Sequence, residues 1–141
     1  MKNKKIFIDS NIFIRFLTKD HEGKFQKCKK LLLESIENTN KKIYTSDAVL
    51  FELHWVLNRI YNLENSDIEE KITTIINFCN IISPNDDFSW SGWFSLQTST
   101  SIDLIDVFNY LLVRQENIDQ LVSYDTDFDK FEDINRVEPG N

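Results

Sequence analysis

Two stretches decide how this chain folds: Lys5-Ile6-Phe7-Ile8-Asp9-Ser10-Asn11 and Gln120-Leu121-Val122-Ser123-Tyr124-Asp125-Thr126-Asp127-Phe128. Each is a short apolar run that closes on acidic residues. The first is rich in β-formers and breaks at Asp9-Ser10-Asn11, whose short polar side chains cap helices, so it reads as a buried strand feeding a helix. The second reads as a strand over 120–124, followed at once by Asp125 and Asp127.

Between them, helical and strand signals alternate. Residues 12–17 are apolar enough for a short buried helix. Phe25, Cys28, Leu32 and Ile36 fall at spacings of three or four, which predicts an amphipathic helix over 21–37 with Lys24, Lys27 and Lys30 on its polar face. Residues 43–46 form a second expected strand, with Asp47 capping a helix over 48–61 whose core side carries Leu53, Val56, Leu57 and Ile60. Ser66 is the expected cap of a helix with Ile68, Ile72, Ile75, Ile76 and Cys79 in one stripe. A third strand over 81–83 stops at Pro84. An aromatic-faced helix over 86–97, a helix over 103–116 and a short edge strand over 134–137 complete the chain. Strands that alternate with helices predict an α/β fold: a three-layer α/β/α sandwich around a mostly parallel sheet of about five strands. The absence of linkers and repeats predicts one domain over 1–141.

Composition agrees. A hydrophobic fraction of 41%, with 11 Phe, supplies a core, while 3 Gly and 2 Pro argue against a turn-rich β-sandwich. Cys28 and Cys79 lie in apolar positions without zinc-ligand spacing and read as reduced core residues. The start of the chain has no secretory apolar segment, and no apolar run approaches a membrane span; the expectation is a cytoplasmic protein. The net charge of −7 argues against a phosphate-bearing partner, but it is unevenly divided. Residues 1–42 sum to +6, with 11 of the 16 basic residues, and the remainder to −13. A basic face beside an acidic cluster is therefore available.

The position of the acids matters more than their number. Parallel α/β sheets bind ligands beyond the carboxyl ends of their strands. Asp9 and Asp125 stand at two such ends. Glu52 lies early in the helix after the second strand, which starts at the same sheet edge, and Asp106 lies near the start of the helix before the fourth. Glu52 and Asp106 are flanked by apolar residues, in Leu50-Phe51-Glu52-Leu53 and Leu104-Ile105-Asp106-Val107-Phe108, an unusual setting for ionised groups. Converging carboxylates repel one another unless protons or cations neutralise them, and hard divalent cations such as Mg²⁺ or Mn²⁺ suit oxygen ligands. Taken singly, Asp9 and Asp103 also suit helix caps, and Asp127 a turn.

In this order the motifs resemble those of PIN-domain ribonucleases. Ile6-Phe7-Ile8-Asp9-Ser10-Asn11 is similar to the opening hydrophobic-Asp-x-Asn motif, Glu52 and Asp106 to the second and third acids, and 121–128 to the closing motif. The size is similar to VapC-type toxins of toxin–antitoxin pairs. Two departures are Val107, Phe108 and Tyr110 where the family often has small residues, and Ser123 in place of the commoner Thr. The resemblance implies a metal-dependent endoribonuclease. Asp9, Glu52, Asp106 and Asp125 would be catalytic and hold Mg²⁺ or Mn²⁺ with Asp127. Asn11 would orient Asp9 or contact phosphate, Ser46 and Ser123 would hydrogen-bond a ligand water, and Asp103 would cap its helix beside them. Arg15, Lys24, Lys27 and Lys30 are the candidate RNA contacts. An antitoxin protein and a second copy of the chain are the implied partners. Trp90, Trp93 and Phe94 suit base stacking, a core or a partner surface. An aspartyl-phosphate phosphatase opens on Asp-x-Asp, and Asn11 counts against it. An RNA-processing nuclease without an antitoxin and a catalytically silent binding module also stay open; the intact set of acids counts against the second.

Overall fold

The computed structural model describes residues 3–140; Lys2, counted above in the basic segment, lies outside them. Five strands, β1 (Lys4–Ile8), β2 (Lys41–Ser46), β3 (Asn80–Ile82), β4 (Gln120–Val122) and β5 (Arg136–Val137), form one sheet in the order β3-β2-β1-β4-β5. Every pairing is parallel, so the expectation of a mostly parallel sheet is met in full. Six helices connect the strands: α1 (Ser10–Thr18), α2 (Glu22–Glu37), α3 (Asp47–Arg59), α4 (Asn65–Phe78), α5 (Trp90–Thr100) and α6 (Leu104–Gln115).

The side chains of β1 divide the layers. Lys5 donates through Nζ to the Glu116 carbonyl at the end of α6, and Ser46, on the same face, donates to Asn109 of α6. On the opposite face Lys4 and Ile6 line a cleft with Lys27 and Leu31 of α2. The parallel crossovers β1-to-β2 and β2-to-β3 run one way across the sheet, and β3-to-β4 returns. With right-handed crossovers this puts α1–α4 on one face and α5–α6 on the other. Phe7, Ile8, Leu121 and Val122 of the central strands are almost fully buried, with Phe13, Leu53, Leu112 and Phe128 packed against them. β1 is central because its Ile-Phe-Ile run can be covered on both faces.

Several expectations are corrected at element edges. β4 stops at Val122 rather than 124, because the Ser123 side chain and the Tyr124 N–H turn to Asp9 and Asn11, and β5 begins at Arg136 rather than 134. The aromatic helix starts at Trp90 behind the cap Ser89, whose hydroxyl accepts from Gly92 N at 3.0 Å. Ser46, not Asp47, caps α3, and Glu64 stands at the cap position of α4, with Ser66 already inside the helix. Ile36 (47% exposed), Ile60 (59%) and Ile76 (47%) lie at the solvent margins of their stripes, and Ser35 is buried instead.

Ser46 is fully buried, and its hydroxyl is consumed: it accepts from Val49 N at 3.0 Å and donates to Asn109 Oδ1 at 2.5 Å. It therefore joins α3 to α6 and has no donor left for a ligand water, contrary to the role expected for it. Ser46→Ala removes a cap and strands a buried amide oxygen. We expect a loss of about 2 kcal/mol in denaturant unfolding, without a change in the helical content of the folded protein.

Candidate functional site

The strand-end acids do meet. Asp9, Glu52, Asp103, Asp106, Asp125 and Asp127 all line one cleft of about 540 Å³, beyond the carboxyl ends of β1 and β4. Asp9 follows β1 directly and caps α1, where Oδ1 accepts from Ser10 N at 2.8 Å. Its Oδ2 accepts from Ser123 Oγ at 2.7 Å and, more weakly, from Asn11 Nδ2 at 3.3 Å. The Ser123 hydroxyl also accepts from Asn11 Nδ2 (3.0 Å) and from Asp125 N (3.0 Å). Asn11 Oδ1 accepts from Tyr124 N at 3.1 Å. One serine and one asparagine thus tie the ends of two neighbouring strands together, and the Ser123 hydroxyl is fully used in doing so. The expectation that Ser123 serves a ligand water gives way to a positioning role. Asn11 holds Asp9, as expected.

The remaining acids arrive from other elements. Ser10 Oγ donates to Glu52 Oε1, which fixes α3 against the first turn of α1. Asp125 Oδ1 accepts from Asp127 N at 2.9 Å at the head of a 3₁₀ turn over Thr126–Lys130. Asp127 also pairs with Lys130 at 3.5 Å. Asp106 sits in the first turn of α6, and Asp103 caps that helix by accepting from Ile105 N at 2.9 Å. Sequence reasoning misses Ser10, and it misses Trp55, which lines the cleft one turn beyond Glu52 with Ile14, Val56 and Ile105. Trp55 lies three residues from Glu52, and that spacing is the signal that could have found it.

The basic candidates are more scattered. Arg15 is neutralised by Asp20 at 2.9 Å, and Asp20 also accepts from Tyr61. Lys24 lies over the Tyr124 ring, 4.8 Å from its centroid, next in the chain to Asp125. Lys27 and Lys30 line a separate cleft and do not border the acids. Trp93 is half-buried and donates through Nε1 to the Leu104 carbonyl, while Trp90 and Phe94 remain exposed.

Crowding shows in the acid–base properties. Burial raises Asp9 from its ordinary 3.8 to about 6, against the stabilising bonds from Ser123 and Ser10, with the charges of Glu52 and Asp125 adding to the rise. Asp106 is raised much further, first by burial, then by the charge of Asp9 and by a hydrogen bond shared with Asp125. Burial and the neighbouring negative charge thus favour the protonated form of Asp106. Among the described residues no three His, Cys, Asp or Glu side chains are closed into metal-coordinating geometry. The donor set nevertheless fits a hard divalent cation. It is all oxygen, it carries several carboxylates in one cleft, and no His or Cys lines that cleft.

The sequence profile of the PIN domain matches residues 6–134, and the chain belongs to that family. Comparison with curated proteins gives no match. Among solved structures, the Mycobacterium tuberculosis toxin VapC20, described as cleaving the sarcin–ricin loop, shares 18% identity and a TM-score of 0.74, over 95% of this chain and 99% of that one. VapBC2 of Rickettsia felis, bound to a promoter DNA fragment, aligns at 16% identity and a TM-score of 0.68, over 96% and 98%. FitAcB of Neisseria gonorrhoeae aligns at 14% identity and 0.59, over 93% and 95%. At these identities the likeness is one of fold: the sheet and its six helices have the architecture of the VapC structures.

The raised pKa of Asp9 makes a stability prediction. The folded chain keeps this proton to about pH 6, whereas an unfolded aspartate loses it near 3.8. Folded protein binds more protons in that window, so cation-free stability falls as pH rises through it. Asp9→Asn removes this dependence and, at pH 7 in chelator, raises unfolding stability by about 1 kcal/mol. Full relief of the shift corresponds to about 3 kcal/mol, but the new amide forfeits the bond from Ser123 Oγ and the weaker one from Asn11.

Proposed function

We propose that this PIN-domain protein is a metal-dependent endoribonuclease, the toxin component of a toxin–antitoxin pair. The observation that carries the reading is the meeting of Asp9, Glu52, Asp106 and Asp125 in one cleft at the carboxyl edge of the sheet, with Asp127 beside them. These five would hold Mg²⁺ or Mn²⁺. When bound, such a cation acidifies water and offsets the charge that develops on a phosphodiester during hydrolysis.

The chain's own groups do the rest. Ser123 and Asn11 hold Asp9 in one orientation, and Ser10 holds Glu52. Asp106, whose carboxyl is held well above the usual range by burial and by the charge of Asp9, is the group suited to give up or receive a proton there. Lys24, above Tyr124, supplies positive charge at the edge of the cleft. Arg15 is a weaker RNA contact because Asp20 already holds it.

The toxin reading is supported by the size, by the full-length likeness to VapC folds and by the sequence motifs. An antitoxin protein is then the expected partner. A homodimer is supported by large apolar side chains left in solvent: Phe51 (74% exposed) and Trp55 (58%) on α3, Trp90 (57%) and Phe94 (54%) on α5. No helix among the described residues is long and apolar enough to cross a membrane, and we place the protein in the cytoplasm.

Incubation of the purified protein with RNA and millimolar Mn²⁺ or Mg²⁺ is expected to give cleavage that chelator stops. Asp9→Asn and Asp125→Asn should each lower the rate at least about 100-fold while circular dichroism stays unchanged. Equal rates in wild type and both variants overturn the assignment. Mn²⁺ should also raise the melting temperature of the wild type by several degrees, by mass action on the folded state, and should leave that of Asp9→Asn nearly unmoved.

A further inference from the structure

A second concavity lies away from the acid cleft. It is a trough of about 650 Å³ on the α2 face of the sheet, walled by Lys4, Lys27, Lys30 and Lys41 and floored by Ile6 and Val122. Lys4 and Lys41 open β1 and β2 and are register partners, so the lysine end of the trough lies at the amino edge of the sheet, while Val122 and Val137 carry its lining to the carboxyl ends of β4 and β5. None of the four lysines forms an ion pair among the described residues. Two acids share the trough; of these Glu138 is bound by Arg136 at 2.6 Å, and Glu34 alone faces the lysines.

Helix α2 carries basic residues from the acid cleft toward the trough. α2 starts at the carboxyl edge, where Lys24 covers Tyr124, and descends past Lys27 and Lys30 to Lys4 and Lys41. Lys24, Lys27 and Lys30 recur every third residue, so cations follow the helix from one edge of the sheet to the other. From Lys4 to Asp9 is five residues of extended chain, about 17 Å at roughly 3.3 Å per residue.

We propose that the lysine trough is a second RNA-binding site, which holds the phosphates of a strand several nucleotides away from the scissile bond. This rests on the ribonuclease reading and goes beyond it, because it makes RNA length a determinant of affinity. RNA is favoured over an acidic polypeptide by the continuity of the track: one ligand must carry negative charge along the whole path and also present a phosphodiester to the acids. Lysine suits this use, since a point charge on a flexible stem follows a backbone without reading sequence.

The test uses Lys4→Ala, Lys30→Ala and Lys41→Ala together. Lys27 is left in place because its stem packs on Gly140, where an added Cβ would lie 3.0 Å from Lys27 Cδ. A control triple, Lys19→Ala, Lys29→Ala and Lys42→Ala, makes the same change in net charge outside the trough. In the cleaving protein, the trough triple should raise KM for a 24-nucleotide RNA roughly tenfold, with kcat and the cleavage of a six-nucleotide RNA of the same central sequence unchanged. In the Asp9→Asn background, fluorescence anisotropy with the 24-nucleotide RNA should show a salt dependence shallower by about 2 in log–log slope, at about 0.7 for each phosphate that is no longer neutralised. The control triple should change neither. Wild-type affinity for the long RNA in the trough triple overturns the proposal. So does an equal loss on both RNAs or in the control. Lysine-dependent binding of poly-glutamate without lysine-dependent binding of RNA assigns the trough to a protein partner and also overturns it. The anisotropy measurement needs no cleavage: trough-dependent RNA binding by a protein that cleaves nothing leaves this site standing and removes the nuclease reading.

Discussion

Everything at the carboxyl edge of the sheet depends on the hydrogen-bonded join among Asp9, Ser123 and Asn11. β1 and β4 are parallel neighbours, and the last backbone bond between them runs from Asp9 N to the Val122 carbonyl at 3.0 Å. Beyond that point nothing in the ladder holds the two chains together. The Ser123 hydroxyl, buried and with its donor and both acceptor sites used, takes over from the ladder, and Asn11 closes the join onto Tyr124. Asp9 and Asp125 are thereby presented side by side although 116 positions separate them in sequence. A buried hydroxyl with three partners is costly to disturb, which is why a single small side chain can fix two charged ones.

That proximity has an electrostatic cost, and the cation-free site answers it with protons. Asp9 and Asp106 keep theirs well above the range of free carboxylates, chiefly through burial, with the charges of Glu52 and Asp125 adding to the rise at Asp9 and the charge of Asp9 to the rise at Asp106. A divalent cation entering the cleft replaces protons with a larger positive charge, so the repulsion that weakens the bare fold becomes the source of affinity. The net charge of −7 is consistent with this arrangement. Much of the acidity is gathered where a cation neutralises it, while the lysines of β1, β2 and α2 lie elsewhere on the surface.

The fold is legible in the sequence because its signals are local. The Ile-Phe-Ile run of β1, the stripe in α4 and the caps Asp9 and Asp103 each follow from neighbouring residues. The site is legible for a second reason: carboxyl ends of parallel strands share an edge, so acids placed there must converge. What sequence cannot supply is the wiring. Ser10 to Glu52 and Ser46 to Asn109 join residues 42 and 63 positions apart, and Ser46 is thereby drawn into the interior. Helical periodicity identifies stripes but not their margins. Ile36, Ile60 and Ile76 have the right spacing and still face solvent, because the layer each helix meets is narrower than its apolar arc. Lys27 and Lys30 share the helix face of Lys24, which by spacing alone puts all three near the acids. The tilt of α2 across the sheet carries the first two away, and no local pattern encodes that tilt.

The central claim is that this acid cluster is a cation site held open by protons. Calorimetric titration of the chelator-treated protein with Mn²⁺ at pH 7, repeated in buffers of different ionisation enthalpy, measures binding and proton release together. The account predicts saturable binding with release of about one proton per protein, both lost in Asp125→Asn. Binding without proton release, or binding unchanged in that variant, would contradict it.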